Sequence, residues 1–399
     1  MKPKIVILSL LVALTLLIDY LAENRNRYFD SKVYYGAIQY WFHGDGGMVY
    51  DWMRPGTPYG FTYPPFAGLL MSPMAVLPYV VVVVIAVIAT VLTTALLTWW
   101  FAGPMLKRWG QPMWFGFGVA ICLALSFEPV RETISFGQVN TLLLTLVAGD
   151  MLFGVARGRR WAGAGIGLAT AIKLTPGVFI LYLLITKRWR AAAVSAATAA
   201  GATLLGGAVF PDETREFWTS ALWDTNRVGV LSYVSNQSER GFLARLPIDA
   251  VPTPVWLVCV LLTLGFWALR VRREPADVFG GLALSGVVGC LISPVTWVHH
   301  CVWLIPALIR CADHGLFAPA RRDEQRKASR PDRRLLGLAV AAYLIMTSRL
   351  LWAWEFEPFP PLRIVGSNLY VYFTLALLVW TPMETVRSTA VQESDRIVA

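Results

Sequence analysis

The sequence predicts an all-α integral membrane protein, a single transmembrane domain over residues 1–399 that forms a bundle of about twelve helices. Two observations support this class. Only 15% of the 399 residues are charged and 56% are hydrophobic, whereas a soluble domain carries about 25% charged residues. The apolar residues also form long runs. Residues 80–102 contain no charged side chain, which is long enough to cross a hydrocarbon core of about 30 Å.

The predicted spans follow one another in order along the chain. We interpret the first apolar run as an uncleaved helix, because no small-residue cleavage site follows it and Asp19 interrupts its end. Whether residues 66–76 form a half-helix or a full span stays open. The predicted spans are residues 5–22, one net crossing within 65–102, then 112–127, 139–156, 161–171, 176–186, 191–210, 255–269, 278–291, 301–312, 335–352 and 368–381.

Basic residues concentrate in the short connections between spans and predict the orientation. They gather at residues 107–108, 157–160, 187–190, 270–273 and, most densely, 321–334. The positive-inside rule places these connections in the cytoplasm, with both termini there and residues 313–334 forming a basic cytoplasmic loop. The net charge of +10 then follows from topology in a plasma-membrane protein and suits an anionic inner leaflet. No nucleic-acid partner is implied.

The two longest outer connections, residues 23–63 and 211–254, predict a working site on the outer side of the membrane. Loops of about 40 residues are more often functional than not. The first contains Asp30, a carboxylate directly after the first span. Within it, residues 33–43 predict a short helix whose aromatic face suits the membrane interface.

Several kinds of site are not indicated. The sequence has no Gly-x-Gly-x-x-Gly after a strand, no Walker loop and no Asp-x-Asp pair. The five cysteines show no Cys-x-x-Cys spacing and are interpreted as small buried hydrophobes. We therefore expect neither a metal nor a cofactor.

Six short motifs recur in an order that carries a family resemblance. They are Asp30-x-x-Val-Tyr, Gly60-Phe-Thr-Tyr-Pro-Pro-Phe66, Gly137-Gln-Val-Asn140, Lys173-Leu-Thr-Pro176, Asn236-Gln-Ser238 and Ser293-Pro-Val-Thr-Trp-Val-His-His300. This order resembles glycosyltransferase family 87, which has the GT-C membrane fold. The resemblance implies an α-1,2-mannosyltransferase with a polyprenyl-phosphate-mannose donor and a glycolipid or lipoglycan acceptor of the phosphatidylinositol mannoside type. It also implies that Asp30 is the catalytic base.

The donor implied by the resemblance is β-linked and the product α-linked, so the configuration inverts. An inverting displacement needs a base that deprotonates the incoming hydroxyl. A phosphate leaves readily as an anion, but its oxygens need positive charge or hydrogen-bond donors nearby. The candidates for binding the donor phosphate or sugar are Lys173, His299, His300, Arg27, Arg131, Arg227, Arg240, Gln138, Asn140, Asn236 and Gln237.

Each main candidate has an alternative interpretation. Asp30 is equally the kind of solvated acid that borders many membrane spans, and the two histidines suit an interfacial position. Lys173 lies between two apolar segments, where a lysine is costly unless it meets an anion, although its long side chain could reach the surface instead. Gln138 and Asn140 could satisfy backbone groups at a helix start.

Three other functions are alternatives at this point. Some relatives transfer arabinofuranose from a decaprenyl-phosphate donor, and the motifs do not separate the two sugars. A polytopic transporter would also have many spans and buried polar residues, but the sequence shows no internal repeat. A non-catalytic scaffold would leave Asp30 unexplained.

Overall fold

The computed structural model describes residues 1–44, 46–247, 252–317, 330–356 and 359–385, which form helices joined by loops. The one pairing of extended segments within these ranges is an isolated antiparallel bridge between Met53 and Gly60. The predicted all-α class is therefore confirmed. Most of the predicted basic loop, residues 318–329, lies outside the described residues.

The described ranges contain eighteen α-helices, supplemented by short 3₁₀ and π turns. In chain order they are α1 (Lys2–Asn26), α2 (Phe29–His43), α3 (Pro65–Met71), α4 (Tyr79–Arg108), α5 (Met113–Ser126), α6 (Glu128–Phe136), α7 (Asn140–Gly149), α8 (Ala164–Ile172), α9 (Val178–Ile185), α10 (Trp189–Val209), α11 (Pro211–Glu216), α12 (Glu239–Ala244), α13 (Thr253–Arg273), α14 (Val278–Ile292), α15 (Ile305–Leu316), α16 (Arg333–Ser348), α17 (Pro360–Ser367) and α18 (Leu369–Trp380).

Four helical stretches are long and apolar enough to cross a membrane: Lys2–Leu21, Tyr79–Arg108, Trp189–Val209 and Thr253–Arg273. Two bent pairs raise the number to six if each pair counts as one span. They are α5 with α6, bent by 64°, and Pro361–Ser367 with α18, bent by 55°. The chain is thus a membrane protein, and the number of crossings beyond these stays a prediction.

Each predicted span coincides with a helix, but several of these helices are short. α8 and α9 contain 9 and 8 residues, so at 1.5 Å per residue each rises only about 12–14 Å. The open question about residues 66–76 resolves as a half-helix, because α3 continues only through a 3₁₀ turn that ends at Ala75. The short pieces meet one another end to end, and the candidate site lies at such a junction.

α14 occupies the centre of the core and is buried along most of its length. Glycines allow its neighbours to approach closely. A Cβ on Gly281 would lie 2.3 Å from the Tyr182 hydroxyl of α9, and one on Gly286 would lie 2.5 Å from the carbonyl oxygen of Trp303. α14 therefore holds α9 on one side and the 3₁₀ segment Val298–Leu304 on the other.

The long helices α1, α4, α10 and α13 form the outer surface of the bundle. Their apolar side chains are largely exposed, including Leu10, Leu92, Leu204 and Leu262. Exposed leucine in such continuous stripes is typical of a surface that faces lipid. The fold thus has a lipid-facing shell of long helices around short, kinked and buried ones.

Candidate active site

A sharp corner between α1 and α2 determines the position of Asp30. Arg27 and Tyr28 have left-handed φ angles of 49° and 56°, so the chain changes direction there. The corner is tied to α6. The Tyr28 N–H donates to the Ser135 carbonyl oxygen at 2.8 Å, and Asn26 Nδ2 donates to the Ser135 hydroxyl at 2.7 Å. Asp30 lies in the first turn of α2, where the helix dipole favours a carboxylate.

The end of α6 lies directly against the start of α2. Gly137 ends α6 with a left-handed φ of 71°, and a Cβ there would lie 2.6 Å from the Cβ of Ser31. Only glycine satisfies both the backbone angle and the close approach. The next residue, Gln138, is thereby brought beside Asp30.

Gln138 connects Asp30 to two buried tyrosines. Its Nε2 donates to Asp30 Oδ2 at 2.6 Å and to the Tyr34 hydroxyl at 2.7 Å, while its Oε1 accepts from the Tyr63 hydroxyl at 2.9 Å. The Tyr34 hydroxyl donates in turn to the Tyr63 hydroxyl at 3.2 Å. These bonds fix the orientation of the Gln138 amide. No hydrogen bond from the described residues reaches the other carboxylate oxygen, Asp30 Oδ1. That oxygen remains available to accept a proton.

Asp30 and Gln138 line a cavity of about 240 Å³ that opens between α2, the Gly60–Pro64 segment and the Ser293–His300 segment. Its wall combines one acid, basic groups and aromatic rings. The residues that matter for its chemistry are Asp30, Gln138, Lys173, Arg227, Trp297 and His300.

Burial raises the pKa of the Asp30 carboxyl from 3.8 to about 6. The low-polarity surroundings disfavour the charged form. The hydrogen bond from Gln138 and the positive charges of Lys173 and Arg54 offset part of this effect, and Glu132 adds to it. The carboxylate is thus more basic than a solvated aspartate and still ionised at neutral pH, as a general base requires.

Lys173 provides a positive charge on the cavity wall. It ends α8 in an extended conformation, and its Nζ lies 3.0 Å from His300 Nε2 and 3.4 Å from Asn140 Oδ1. The ring of Tyr63 lies 5.3 Å from the ammonium. No carboxylate of the described residues pairs with this lysine within 4.0 Å. A half-buried lysine without a carboxylate partner is a binding position for an anion.

His300 faces the cavity beside Lys173, with its Nδ1 accepting a hydrogen bond from the Trp297 N–H at 3.1 Å. In a neutral imidazole the proton then lies on Nε2. That atom lies 3.0 Å from Lys173 Nζ, so two donors face each other, and an anion that accepts from both would remove their repulsion. His299 is buried outside the cavity, against the ring of Phe136. The structure thus distinguishes the two histidines.

Comparison with known proteins assigns the family. The sequence profile of glycosyltransferase family 87 matches residues 61–294, more than half of the chain. The chain belongs to glycosyltransferase family 87. It is therefore a glycosyltransferase, as the motif order predicts. The matched region includes Gln138 and Lys173 of the cavity wall, while Asp30 precedes it and His300 follows it.

The relatives are mannosyltransferases by name. The polyprenol-phosphate-mannose-dependent alpha-(1-2)-phosphatidylinositol pentamannoside mannosyltransferase of Mycolicibacterium smegmatis is 33% identical over 319 residues, 77% of this chain and 75% of the relative. The protein of the same name from Mycobacterium tuberculosis (strain CDC 1551) is 31% identical over 406 residues, 95% of this chain and 86% of the relative. No solved structure matches the chain significantly.

Among the predicted arginines, the cavity wall of this family 87 protein includes Arg227 alone. Arg227 Nη1 donates to the Tyr50 carbonyl oxygen at 2.6 Å, so part of its guanidinium is already engaged. Arg27 is exposed at the corner. Arg131 donates to the Thr347 carbonyl oxygen. Arg240 lies over Trp256 and bonds Thr253. The structure does not bring these three into the cavity.

Of the four predicted residues with amide side chains, Gln138 lies on the cavity wall. The other three residues bond to the backbone of the segment that carries the histidines. Asn236 Oδ1 accepts from the Thr296 N–H at 2.9 Å, and the Gln237 N–H donates to the Thr296 carbonyl oxygen at 2.7 Å. Asn140 Nδ2 donates to the His299 carbonyl oxygen at 3.2 Å. Asn236 and Gln237 therefore do not contact the cavity. Together with Asn140 they hold the histidine segment in place.

Two tyrosines belong to the site that were not among the predicted site residues. Tyr34 lies in the segment 33–43, whose aromatic face was expected at the membrane interface, but it is buried and bonded to Gln138. Tyr63 of the Gly60–Phe66 motif is also buried, and its hydroxyl reaches the same amide. Tyr34 follows Asp30 by four residues, which puts both on the same face of a helix. This spacing in the sequence is a signal for the position of Tyr34 in the site.

Within the part of the chain that the structure describes, no three His, Cys, Asp or Glu side chains are grouped as metal ligands. The expectation of a metal-independent reaction stays a prediction, and activity with and without a chelator tests it.

The pH dependence of turnover follows from the pKa of Asp30. A general base works only when deprotonated, so kcat should rise with pH through about 6 and level off above about 7. Measurement of kcat from pH 4.5 to 8 at saturating substrate tests this. A profile that is flat, or that falls across the same interval, would exclude Asp30 as the group that limits turnover.

Gln138 is a positioning residue for Asp30. Gln138→Leu should lower kcat about tenfold, and it should move the midpoint of the pH profile upward, because the hydrogen bond from Gln138 lowers the pKa of Asp30. Gln39→Leu is the matched control, since Gln39 donates only to the carbonyl oxygens of Met74 and Ala75, outside the cavity. A lower kcat with an unmoved midpoint would indicate a purely structural role.

Proposed function

We propose that this chain transfers mannose from polyprenyl-phosphate-mannose to a glycolipid or lipoglycan of the phosphatidylinositol mannoside type, forming an α-1,2 linkage with inversion. One observation carries the proposal. The carboxylate of Asp30 and the N–H groups of Lys173 and His300 line the same cavity, which provides both a base and an anion-binding position. The names of the relatives supply the donor and acceptor class.

The reaction follows from these positions. Asp30 accepts the proton of the acceptor hydroxyl as its oxygen attacks the anomeric carbon of the donor. The bond from that carbon to the phosphate oxygen breaks, and the phosphate keeps the electron pair. Lys173 and His300 stabilise the negative charge that develops there. No general acid is required, because a polyprenyl phosphate leaves as an anion.

The raised pKa of Asp30 suits this role. A carboxylate with a pKa of about 6 has a stronger affinity for the proton than an ordinary aspartate, and it is already ionised at pH 7. The hydrogen bond of Gln138 to Oδ2 leaves Oδ1 for the hydroxyl. The carboxylate of Asp30 and the N–H groups of Lys173 and His300 therefore act on opposite ends of the displacement.

We further propose a GT-C-type bundle of about twelve crossings in the plasma membrane, with both termini cytoplasmic and the Asp30 cavity at the outer side. The distribution of charge supports this orientation. Basic residues at 157–160 and 187–190 lie at the ends of α8 and α9 that are remote from Lys173, and such clusters favour the cytoplasm. A donor carried on a lipid would then approach from the outer leaflet.

Transfer assays with two lipid-linked donors test the proposed function. Purified protein in proteoliposomes is given radiolabelled polyprenyl-phosphate-mannose or decaprenyl-phosphate-arabinose, with a phosphatidylinositol mannoside acceptor. The proposal predicts that label from mannose alone enters the glycolipid, in a product that α-1,2-mannosidase releases. Transfer of arabinose alone would overturn the proposed donor and leave the family assignment intact.

A further inference from the structure

A second cavity, of about 340 Å³, lies at the end of the bundle remote from Asp30. It is enclosed by the loop that precedes α8 and the turn between α9 and α10. Three basic residues line it, Lys187, Arg188 and Arg190, above an apolar floor of Val155, Ala162 and Ala191. The 16 residues from Asn140 to Val155 separate it from the candidate active site by about 24 Å of helix.

The basic side chains of this cavity are held in place by the backbone. Arg190 Nη2 donates to the carbonyl oxygens of Gly158 and Arg159 at 2.7 and 2.9 Å. Arg188 donates to the Val155 carbonyl oxygen at 3.3 Å and to the Pro275 carbonyl oxygen at 2.9 Å. Guanidinium groups fixed in this way are prepared to meet an anion.

No salt bridge of the described residues balances this charge, because the adjoining acid, Asp150, accepts from the backbone N–H groups of Gly163 and Ile166. The sequence contains no Asp or Glu from residue 151 to residue 211, whereas Arg157, Arg159 and Arg160 add three more positive charges in the adjoining loop. None of the salt bridges within the described ranges involves a basic residue of this group. Like charges gathered without a counterion repel one another, and a bound anion would remove that cost.

Two exposed tryptophans place the cavity at the level of lipid headgroups. Trp161 is 50% exposed and Trp189 is 62% exposed, and each belongs to a segment that borders the cavity. Tryptophan concentrates at the boundary between headgroups and acyl chains. Exposed Leu181 and Leu184 of α9 continue from the cavity along the bundle, where acyl chains would lie.

We propose that this cavity binds the phosphate headgroup of an anionic phospholipid, with its acyl chains along α9. Basic pockets between membrane helices are suited to such headgroups. The proposal does not depend on the transferase reaction, because it involves neither Asp30 nor the donor.

Lipid retention tests the site. Wild type and Lys187→Gln are reconstituted in nanodiscs that contain equal amounts of phosphatidylinositol and phosphatidylcholine. The protein is then released from the nanodiscs, and the lipids that stay bound to it are counted by native mass spectrometry. The Lys187 side chain makes no hydrogen bond or ion pair within the described residues, so its replacement should not disturb the fold. Wild type should retain phosphatidylinositol, and Lys187→Gln should retain at least fivefold less. Equal thermal stability of the two in phosphatidylcholine alone verifies folding.

A second variant that also loses one positive charge distinguishes lipid binding in this cavity from lipid attraction by surface charge in general. Arg273→Gln removes one exposed positive charge at the end of α13 and should leave retention unchanged. Loss of lipid in Arg273→Gln equal to that in Lys187→Gln, or no loss in either, would overturn the proposal. Inorganic phosphate is tested alone in detergent. If it raises the thermal stability as much as phosphatidylinositol does, the site is one for free phosphate and the lipid assignment is wrong.

Discussion

Asp30→Asn is expected to lower mannose transfer by about 10²–10⁴-fold, the contribution of a positioned general base, while making the protein more stable at pH 8. The substitution keeps the shape of the side chain and an acceptor for Gln138 Nε2. It removes only the proton affinity and the charge. Donor affinity should change little, because the base acts chiefly in the transition state.

The gain in the stability of Asp30→Asn over wild type depends on pH. The Asp30 pKa lies at about 6 in the fold, against an ordinary value of 3.8. The folded state therefore binds the proton more tightly, and the stability from Asp30 is complete below pH 3.8 and lost as pH rises through about 6. Two pKa units correspond to at most about 3 kcal/mol. Asp30→Asn should thus exceed wild type in thermal stability at pH 8 and match it near pH 4.

The matched control is Asp51→Asn, an exposed acid in the same connection whose carboxylate accepts from the Met48 N–H. It should retain transfer close to that of wild type. Transfer by Asp30→Asn at a rate within tenfold of wild type would show that another group is the base. A variant that is inactive and less stable at pH 8 would mean that Asp30 serves the fold instead.

Lys173→Met is expected to reduce kcat/KM for the lipid donor by about 10²–10³-fold, in the range found when a charge-stabilising donor group is removed from an active site. Lys173 lines the cavity, and its Nζ lies 3.0 Å from His300 Nε2. Without it the leaving phosphate retains the imidazole N–H of His300, and the positive charge left on the cavity wall is that of Arg227, whose guanidinium already donates to the Tyr50 carbonyl oxygen. Methionine fills a similar volume, so the fold should persist.

The kinetic comparison uses purified Lys173→Met and Arg240→Met side by side. Arg240 also carries a positive charge, but it lies over Trp256, away from the cavity. We expect normal kinetics for Arg240→Met. For Lys173→Met we expect a large loss in kcat/KM and an unchanged KM for the glycolipid acceptor. Equal losses for donor and acceptor would argue that Lys173 supports the cavity generally and does not bind the phosphate.

The sequence was sufficient for the fold class and for the members of the site that carry charge. Hydropathy alone locates the apolar helices, because the bilayer admits few other structures. The motif order pointed to Asp30, Lys173 and the pair His299 and His300, and the structure places Asp30, Lys173 and His300 on one cavity. Charged groups in an apolar sequence are costly, so their positions are informative.

The partners of these residues could not be predicted in the same way. Gln138 and Asp30 are 108 residues apart, and no local pattern relates them. His299 and His300 are adjacent, so only the 3₁₀ turn at Val298–Leu304 decides which ring faces the cavity. Asn236 and Gln237 occur in a motif for a structural reason, because they hold the Thr296 backbone. Short half-helices also lack the length that hydropathy needs to define a crossing.

A cryo-EM structure with a non-transferable phosphonate analogue of polyprenyl-phosphate-mannose tests the central claim most directly. The proposed mechanism predicts that the phosphonate lies within hydrogen-bond distance of Lys173 Nζ and His300 Nε2, with the anomeric carbon facing Asp30. An analogue bound with its phosphonate elsewhere, for example beside Arg245 in another cavity, would contradict this mechanism.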